Sequence, residues 1–195
     1  MKINEIFYSV QGEGELTGTP AIFVRFSGCN LACPFCDTAH HEGVEMSEEA
    51  IADEVGRYPA PLVVVTGGEP SLFLTASLVE KLHKLNKRVA VETNGTHPLP
   101  DNVDWITCSP KGDWVEKGKQ LITDRTYNEV KVVYDGTNDV DRWLSLLKAN
   151  RYSLQPCDTG HEARNQAIQR QVVQHCLENP IWHISLQTHK LLHIR

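Results

Sequence analysis

The chain has 195 residues, of which 41% are hydrophobic and 23% are charged, and its formal net charge is −6. These fractions are those of an ordinary soluble globular protein, so they exclude a disordered, collagen-like or coiled-coil chain. The acidic balance offers no broad positive field to a phosphate backbone, which argues against DNA or RNA as a direct substrate. A length near 200 residues favours a single domain over residues 1–195.

Strands and helices are predicted to alternate along the chain. Apolar, β-branched runs predict six strands, at about residues 21–26, 62–66, 88–93, 104–108, 128–134 and 151–155. Apolar residues at helical spacing predict helices after Ser47, from Pro70 to Leu85, and around residues 140–147 and 168–176. Residues 182–189 alternate between apolar and polar side chains, which predicts a further strand with His183, Ser185, Gln187 and His189 on one face.

Alternating strands and helices are typical of a parallel sheet with crossover helices. Residues 94–103 contain two prolines and are the exception, because they cannot form a crossover helix. A complete eight-fold barrel usually has about 250 residues, more than this chain provides. We therefore predict an α/β fold, a partial, open β/α barrel with about six core parallel strands plus terminal strands.

Polar or Gly/Pro-rich motifs follow five of the predicted strands: RFSGC, VVVTGGEP, VETNG, TCSPK and SLQPCD. Turn residues at strand ends are ordinary in any α/β protein. In a parallel barrel, however, the active site lies at the carboxyl ends of the strands, and one of these motifs opens a loop with three cysteines. We interpret the five motifs as parts of one site.

The cysteine loop has the spacing C-x3-C-x2-C, with Cys29, Cys33 and Cys36. Three thiolates in eight residues suit a metal or iron–sulfur site, and a reducing compartment argues against disulfides. With His40 as a fourth ligand the loop would hold a structural zinc ion. With the cysteines alone it would hold a [4Fe–4S] cluster that keeps one iron open to a ligand.

Two further features indicate ligand binding. In the segment SVQGEG, Gln11 and Glu13 offer hydrogen-bonding groups suited to the edge of a heterocycle, although an ordinary glycine-rich turn is the alternative. Arg25 lies inside an apolar strand, where an unpaired charge is costly. It either pairs with an internal carboxylate or binds the carboxylate of a ligand.

The cysteine spacing, together with Gly67-Gly68-Glu69-Pro70 after the second predicted strand, resembles the radical S-adenosylmethionine (SAM) superfamily. This resemblance implies a radical SAM barrel in which the open iron of a [4Fe–4S] cluster binds SAM. Segments along nearly the whole chain resemble, more narrowly, the 7-carboxy-7-deazaguanine synthases: NEIFYSVQGEG, TGTPAIFVRFSGCNLACPFCDT, TGGEP, ETNGT, SPK, SLQP and SLQTHK. That family implies a lyase of queuosine and 7-deazapurine biosynthesis, which converts 6-carboxy-5,6,7,8-tetrahydropterin to 7-carboxy-7-deazaguanine with loss of ammonia.

The resemblance also implies a role for individual residues. Cys29, Cys33 and Cys36 would bind the cluster, and Thr38 would bind Mg2+. The implied substrate-binding residues are Val10, Gln11, Gly12, Arg25, Thr66 and, through a C-terminal carboxylate, Arg195. The implied SAM-binding residues are Gly68, Ser109, Pro110, Lys111, Gln155, Pro156, Cys157 and Asp158.

The resemblance further implies a homodimer and a flavodoxin- or ferredoxin-like electron donor. No apolar run reaches the ~18 residues of a membrane span and the first residues do not form a signal peptide, so we expect a cytoplasmic protein without membrane or nucleic-acid partners. Two alternatives remain, a radical SAM enzyme that activates a large partner protein and a zinc-bound binding module. Neither explains the motifs at both ends of the chain.

Overall fold

A computed structural model of the chain describes residues 1–33, 36, 42–111 and 120–195. The strands of the described part are β1 (Lys2–Val10), β2 (Pro20–Phe26), β3 (Val44–Glu45), β4 (Leu62–Gly67), β5 (Arg88–Thr93), β6 (Trp105–Cys108), β7 (Thr126–Tyr134), β8 (Lys148–Pro156) and β9 (Trp182–Ile184). Its helices are α1 (Glu48–Gly56), α2 (Ala76–Lys84), α3 (Arg142–Leu146), α4 (Glu162–Glu178) and α5 (Thr188–Leu192), with a 3-10 turn at Pro70–Leu72. No helix in these ranges is long and apolar enough to cross a membrane.

The strands form one sheet in the order β3-β1-β2-β4-β5-β6-β7-β8-β9. From β2 to β9 every neighbouring pair is parallel, whereas β1 runs antiparallel to both β2 and β3. Each parallel strand from β4 onward lies beside the next one in the chain, which is the winding of a β/α barrel, and β3 and β9 remain at separate edges. The prediction of a partial, open barrel with six core parallel strands is confirmed.

Local contacts correct two of the predicted elements. The helix expected from Pro70 is a 3-10 turn followed by a break, because the Thr75 hydroxyl accepts the amide of Leu78 and starts α2 there. The strand expected over 182–189 ends at Ile184, and His183 is exposed. The chain turns after β9 because the amide and hydroxyl of Thr188 both donate to the carbonyl of Gly12. The prediction of no helix over residues 94–103 agrees with the structure.

The two faces of the sheet bury different side chains. The outer face packs under the helices, where Val24, Val65 and Val91 are fully buried beside Leu78 and Leu82. The inner face has an apolar lower layer from four strands, made of Phe7, Ala21, Phe23, Leu62, Val64 and Ala90. Towards the carboxyl ends of the strands the inner face becomes polar. The polar side chains there are Arg25, Thr66, Glu92, Lys131 and Gln155. Because side chains alternate along a strand, these polar groups share the carboxyl end of the barrel.

Gly67 ends β4 in a conformation that only glycine tolerates well. Its φ is +128°, and a Cβ there would lie 2.1 Å from the carbonyl oxygen of Phe26. We expect Gly67→Ala to lower the free energy of unfolding by at least about 2 kcal/mol, through backbone strain and overpacking. Gly160→Ala is the control, since Gly160 has φ +72° but a Cβ there would meet no heavy atom within 4 Å, so only strain is added. Urea unfolding of both variants measures the difference, and equal losses would contradict the role of the Phe26 contact.

Candidate active site

A cavity of about 570 Å³ opens at the carboxyl ends of the parallel strands. Most of the residues that the sequence predicts for the site line this cavity. They belong to β1, β2, β4 and β8 and to the loops that follow the strands. The predicted residues that line it are Val10, Gln11, Gly12, Arg25, Cys29, Cys33, Cys36, Thr66, Gly68, Ser109, Lys111, Gln155, Pro156, Cys157, Asp158 and Arg195. Pro110 is buried and is not among the lining residues, while Thr38 and His40 lie outside the described residues.

The three predicted cluster ligands lie at one part of this cavity. The amide of Cys36 donates to the carbonyl of Cys33 at 3.1 Å, and the amide of Leu31 donates to the Cys29 sulfur at 3.4 Å. Burial, assisted by the charge of neighbouring thiolates, raises the pKa of Cys29 and Cys33. Among the described residues no three His, Cys, Asp or Glu side chains are gathered closely enough to hold a single metal ion. A donor set of three thiols is nonetheless the one that an iron–sulfur cluster requires, so these residues fit that group.

The GGEP segment after β4 holds the beginning of the cysteine loop. A Cβ on Gly68 would lie 2.0 Å from the carbonyl oxygen of Gly28, and the Glu69 amide donates to that same oxygen at 2.9 Å. The Glu69 carboxylate is buried and accepts the hydroxyl of Thr93 at 2.6 Å and the amide of Asn94 at 2.7 Å. The glycine and the glutamate of this motif therefore join the cysteine loop to the end of β5.

The β1–β2 side of the cavity carries two guanidinium groups. Arg25 donates through Nε to Glu5 at 2.9 Å, because the antiparallel register places these residues opposite each other. The guanidinium of Arg195 contacts the same carboxylate and lies over the Phe7 ring, 4.8 Å from its centroid. The Ser9 hydroxyl donates to the backbone oxygen of Arg195 at 2.7 Å. Two guanidinium groups therefore share the Glu5 carboxylate on this side of the cavity, beside the backbone oxygen of Arg195.

The opposite side of the cavity has an excess of negative charge. The Lys131 ammonium lies 2.7 Å from the Glu13 carboxylate and 3.0 Å from the Glu92 carboxylate. Burial alone would raise the pKa of Glu13, but the Lys131 charge and hydrogen bonds lower it to about 2. Burial raises the pKa of Glu92, and the two carboxylates raise the pKa of Lys131 against the effect of its own burial. One ammonium between two carboxylates gives a formal charge of −1.

The C-terminal segment packs against both the N-terminal loop and the cavity. Gln187 donates to Glu13 at 2.9 Å, and Lys190 lies 2.8 Å from Asp158. Ser185 is buried, accepts the Gly14 amide and donates to Gln155. His189 lines the cavity beside Gly12, where a Cβ would lie 2.4 Å from its Nδ1. The glycine at position 12 therefore makes room for this histidine.

Comparison with known proteins places the chain in a family. Residues 23–152 match the family model described as the radical SAM superfamily. The chain is 50% identical over 194 residues to the 7-carboxy-7-deazaguanine synthase of Bacteroides thetaiotaomicron, covering 100% of this chain and 98% of the relative. The corresponding synthase of Bradyrhizobium diazoefficiens is 36% identical, with 99% and 98% covered. The chain belongs to the 7-carboxy-7-deazaguanine synthases.

The structural comparison agrees with this membership. The crystal structure of QueE from Escherichia coli superposes with a TM-score of 0.79 at 30% sequence identity, covering 95% of this chain and 93% of that one. The family predicted from the sequence motifs is thus confirmed, and the chain is a radical SAM enzyme. The relatives that match it over their full length bear the name of the synthase, which favours neither a zinc-bound module nor an enzyme that activates a protein partner.

Several cavity residues of this family member were not predicted from its sequence. Glu5, Glu92 and Lys131 each interrupt an apolar strand with a charge, which is the same signal that identifies Arg25. A charge inside an apolar strand could therefore have identified all three. Asn94, which lines the cavity and donates to the side chain of Asn30 at 2.9 Å, carries no such local signal.

Proposed function

We propose that this chain converts 6-carboxy-5,6,7,8-tetrahydropterin to 7-carboxy-7-deazaguanine with loss of ammonia, as a step of queuosine or 7-deazapurine biosynthesis. The observation that carries the proposal is the different chemistry of two sides of one cavity, with two guanidinium groups on one and a pair of carboxylates on the other. The substrate has a carboxylate on one ring and the N–H donors of an aminopyrimidinone on the other. The Arg25–Arg195 side suits the carboxylate, and the Glu13–Glu92 side suits the N–H donors. The name shared by full-length relatives supports the same substrate.

Most of the cofactor residues of the proposal line the same cavity. Cys29, Cys33 and Cys36 would hold a [4Fe–4S] cluster, and the SAM positions are Gly68, Ser109, Pro110, Lys111, Gln155, Pro156, Cys157 and Asp158. When bound, the cluster and SAM supply the 5′-deoxyadenosyl radical that removes a hydrogen atom from the substrate. The chain itself orients the substrate and excludes competing reactions.

The residues of the N-terminal loop orient the heterocycle. Gln11 is buried, and its side-chain oxygen accepts the amide of Gly12 at 2.8 Å, which turns the loop towards the cavity. Val10, Gln11, Gly12 and Thr66 line the same cavity as the two charged sides. Groups held in this way bind a ring at low entropic cost.

The proposal also includes features for which the support is the family resemblance. These are Mg2+ bound through Thr38, a flavodoxin- or ferredoxin-like electron donor, a cytoplasmic location and a homodimer. Mg2+ typically keeps several waters and takes one or two ligands from the protein, so a single threonine hydroxyl is chemically sufficient.

Anaerobic turnover tests the proposed function. Protein reconstituted with iron and sulfide is incubated with SAM, Mg2+, a chemical reductant and the carboxytetrahydropterin, and the products are separated by chromatography. We expect the deazapurine and ammonia in equal amounts, with less product when Mg2+ is left out. Protein with an intact cluster that cleaves SAM but leaves the pterin unchanged would overturn the proposed substrate.

A further inference from the structure

Lys131 is the central charge of a network that joins four separate parts of the chain. It extends from the inner face of β7 and contacts Glu13 from the N-terminal loop and Glu92 from β5. Glu13 in turn accepts the side-chain amide of Gln187 at 2.9 Å, and Glu92 lies 3.5 Å from the amide of Gln11. The Lys131 ammonium group thus contacts both carboxylates, and each carboxylate in turn contacts a side-chain amide.

The side chains of Lys131, Glu13 and Glu92 are exposed to different extents. The Lys131 side chain is only 5% exposed, whereas those of Glu13 and Glu92 are 20% and 21% exposed. All three line the cavity, but the carboxylates have most of the accessible surface. The ammonium group therefore supports the carboxylates from behind and leaves them as the groups that a ligand meets.

Resting on the proposed function, we propose that Lys131 is a positioning residue for the substrate. Its ammonium group holds the Glu13 and Glu92 carboxylates in place and keeps both ionised, so that they accept hydrogen bonds from the aminopyrimidinone edge of the pterin. A carboxylate accepts hydrogen bonds only on oxygens that carry no proton, so its ionisation decides how well it binds N–H donors.

Burial opposes ionisation of both carboxylates, and besides Lys131 the hydrogen bond from Gln187 favours it at Glu13. Glu129, two residues earlier on the same face of β7, is buried and accepts the Glu15 amide and the Ser153 hydroxyl. From β8, Arg151 pairs with Glu15. On the β6 side Lys111 is partly buried, and this burial lowers its pKa. The elements packed around the network therefore add a further buried carboxylate, an arginine that is paired with Glu15, and a lysine whose charge burial disfavours.

Substitution of Lys131 separates positioning from a purely structural role. Lys131→Met removes the charge at similar length, so burial and mutual repulsion raise the pKa of both carboxylates. We expect the acidic limb of the pH profile of kcat/KM to move upward by about one pH unit or more. We also expect at least tenfold weaker calorimetric binding of 6-carboxypterin, an oxidised analogue that is not turned over, at neutral pH.

The conservative variant and a remote lysine complete the experiment. Lys131→Arg keeps the positive charge. The acidic limb of its pH profile should therefore coincide with that of the wild type, even if the larger arginine side chain raises KM. Lys87→Met is the control, because Lys87 donates to the carbonyls of Tyr58 and Ala60 and does not line the cavity. It should change neither binding nor the pH limb.

The outcomes are distinct. If Lys131→Met keeps the wild-type limb and wild-type binding of 6-carboxypterin, the proposal for Lys131 is wrong. Circular dichroism checks the fold of each variant. If Lys131→Met does not fold, Lys131→Met/Glu92→Gln, which keeps only Glu13 of the two carboxylates that contact Lys131, is measured in the same way. A retained wild-type limb in that variant also overturns the proposal. Failure of the wild type to convert the pterin overturns the proposed function instead.

Discussion

Cys33→Ala is expected to lose bound iron and turnover together. A cluster of this type is held by all three thiolates of the loop, and Cys33 lies between the other two, with its carbonyl accepting the Cys36 amide. Loss of a ligand removes the group that starts the reaction, so we expect turnover to fall by at least about 10³-fold, the scale seen when an essential catalytic group is removed. Iron and sulfide analysis after anaerobic reconstitution, together with the turnover assay, measures both effects.

Cys176→Ala is the matched control for this prediction. Cys176 lies on α4, packs against the outer core and does not line the cavity. Its variant should keep the full iron content and the wild-type turnover. A Cys33→Ala protein that retains the cluster would contradict the ligand assignment. Stoichiometric zinc in place of iron in the wild type would return the loop to the structural zinc alternative.

The parallel strands β2 and β4 to β8 could be predicted because each contains an apolar, β-branched run, whereas the antiparallel β1 was not predicted. The run from Leu62 to Val65 is buried on both faces in a parallel sheet, so it is continuously apolar and β-branched. Motifs at strand ends then meet by topology alone, which is why Thr66 and Gln155 could be placed in one cavity from the sequence. The limits of α2 and β9 could not be predicted, because the hydroxyls of Thr75 and Thr188 override the local periodicity.

The charge pairing of the site depends on register and curvature, which local patterns do not contain. The sequence left open whether Arg25 pairs with an internal carboxylate or faces a ligand, and the structure shows that it lines the cavity and also pairs with Glu5. The pairing follows from the antiparallel register of β1 and β2. The meeting of Glu13, Glu92 and Lys131 requires the sheet to curl, because β1 and β7 are separated by several strands.

Arg25→Gln is expected to weaken recognition of the substrate carboxylate specifically. Arg25 lies above a pair of stacked rings, Phe7 and Phe23, whose centroids are 4.8 Å apart, and its side chain is 22% exposed. In such a partly buried place, removing one partner of a charge pair costs about 3–5 kcal/mol. We therefore expect kcat/KM for the carboxytetrahydropterin to fall by about 10²- to 4 × 10³-fold, since each 1.4 kcal/mol is a factor of ten.

A ligand without the carboxylate distinguishes recognition from damage to the site. Tetrahydropterin lacking the 6-carboxylate, used as a competitive inhibitor, should bind the variant and the wild type within about threefold, because it never forms the charge pair that Arg25 supplies. Arg88→Gln is the control: Arg88 begins β5 at the opposite end of the barrel, over the Trp105 ring, and should leave both ligands unaffected. Equal losses for both ligands in Arg25→Gln would mean that Arg25 serves to hold Glu5 and β1 in place. A loss confined to the carboxylated substrate would assign its carboxylate to the β1–β2 side of the cavity, which in turn leaves its N–H edge facing Glu13 and Glu92.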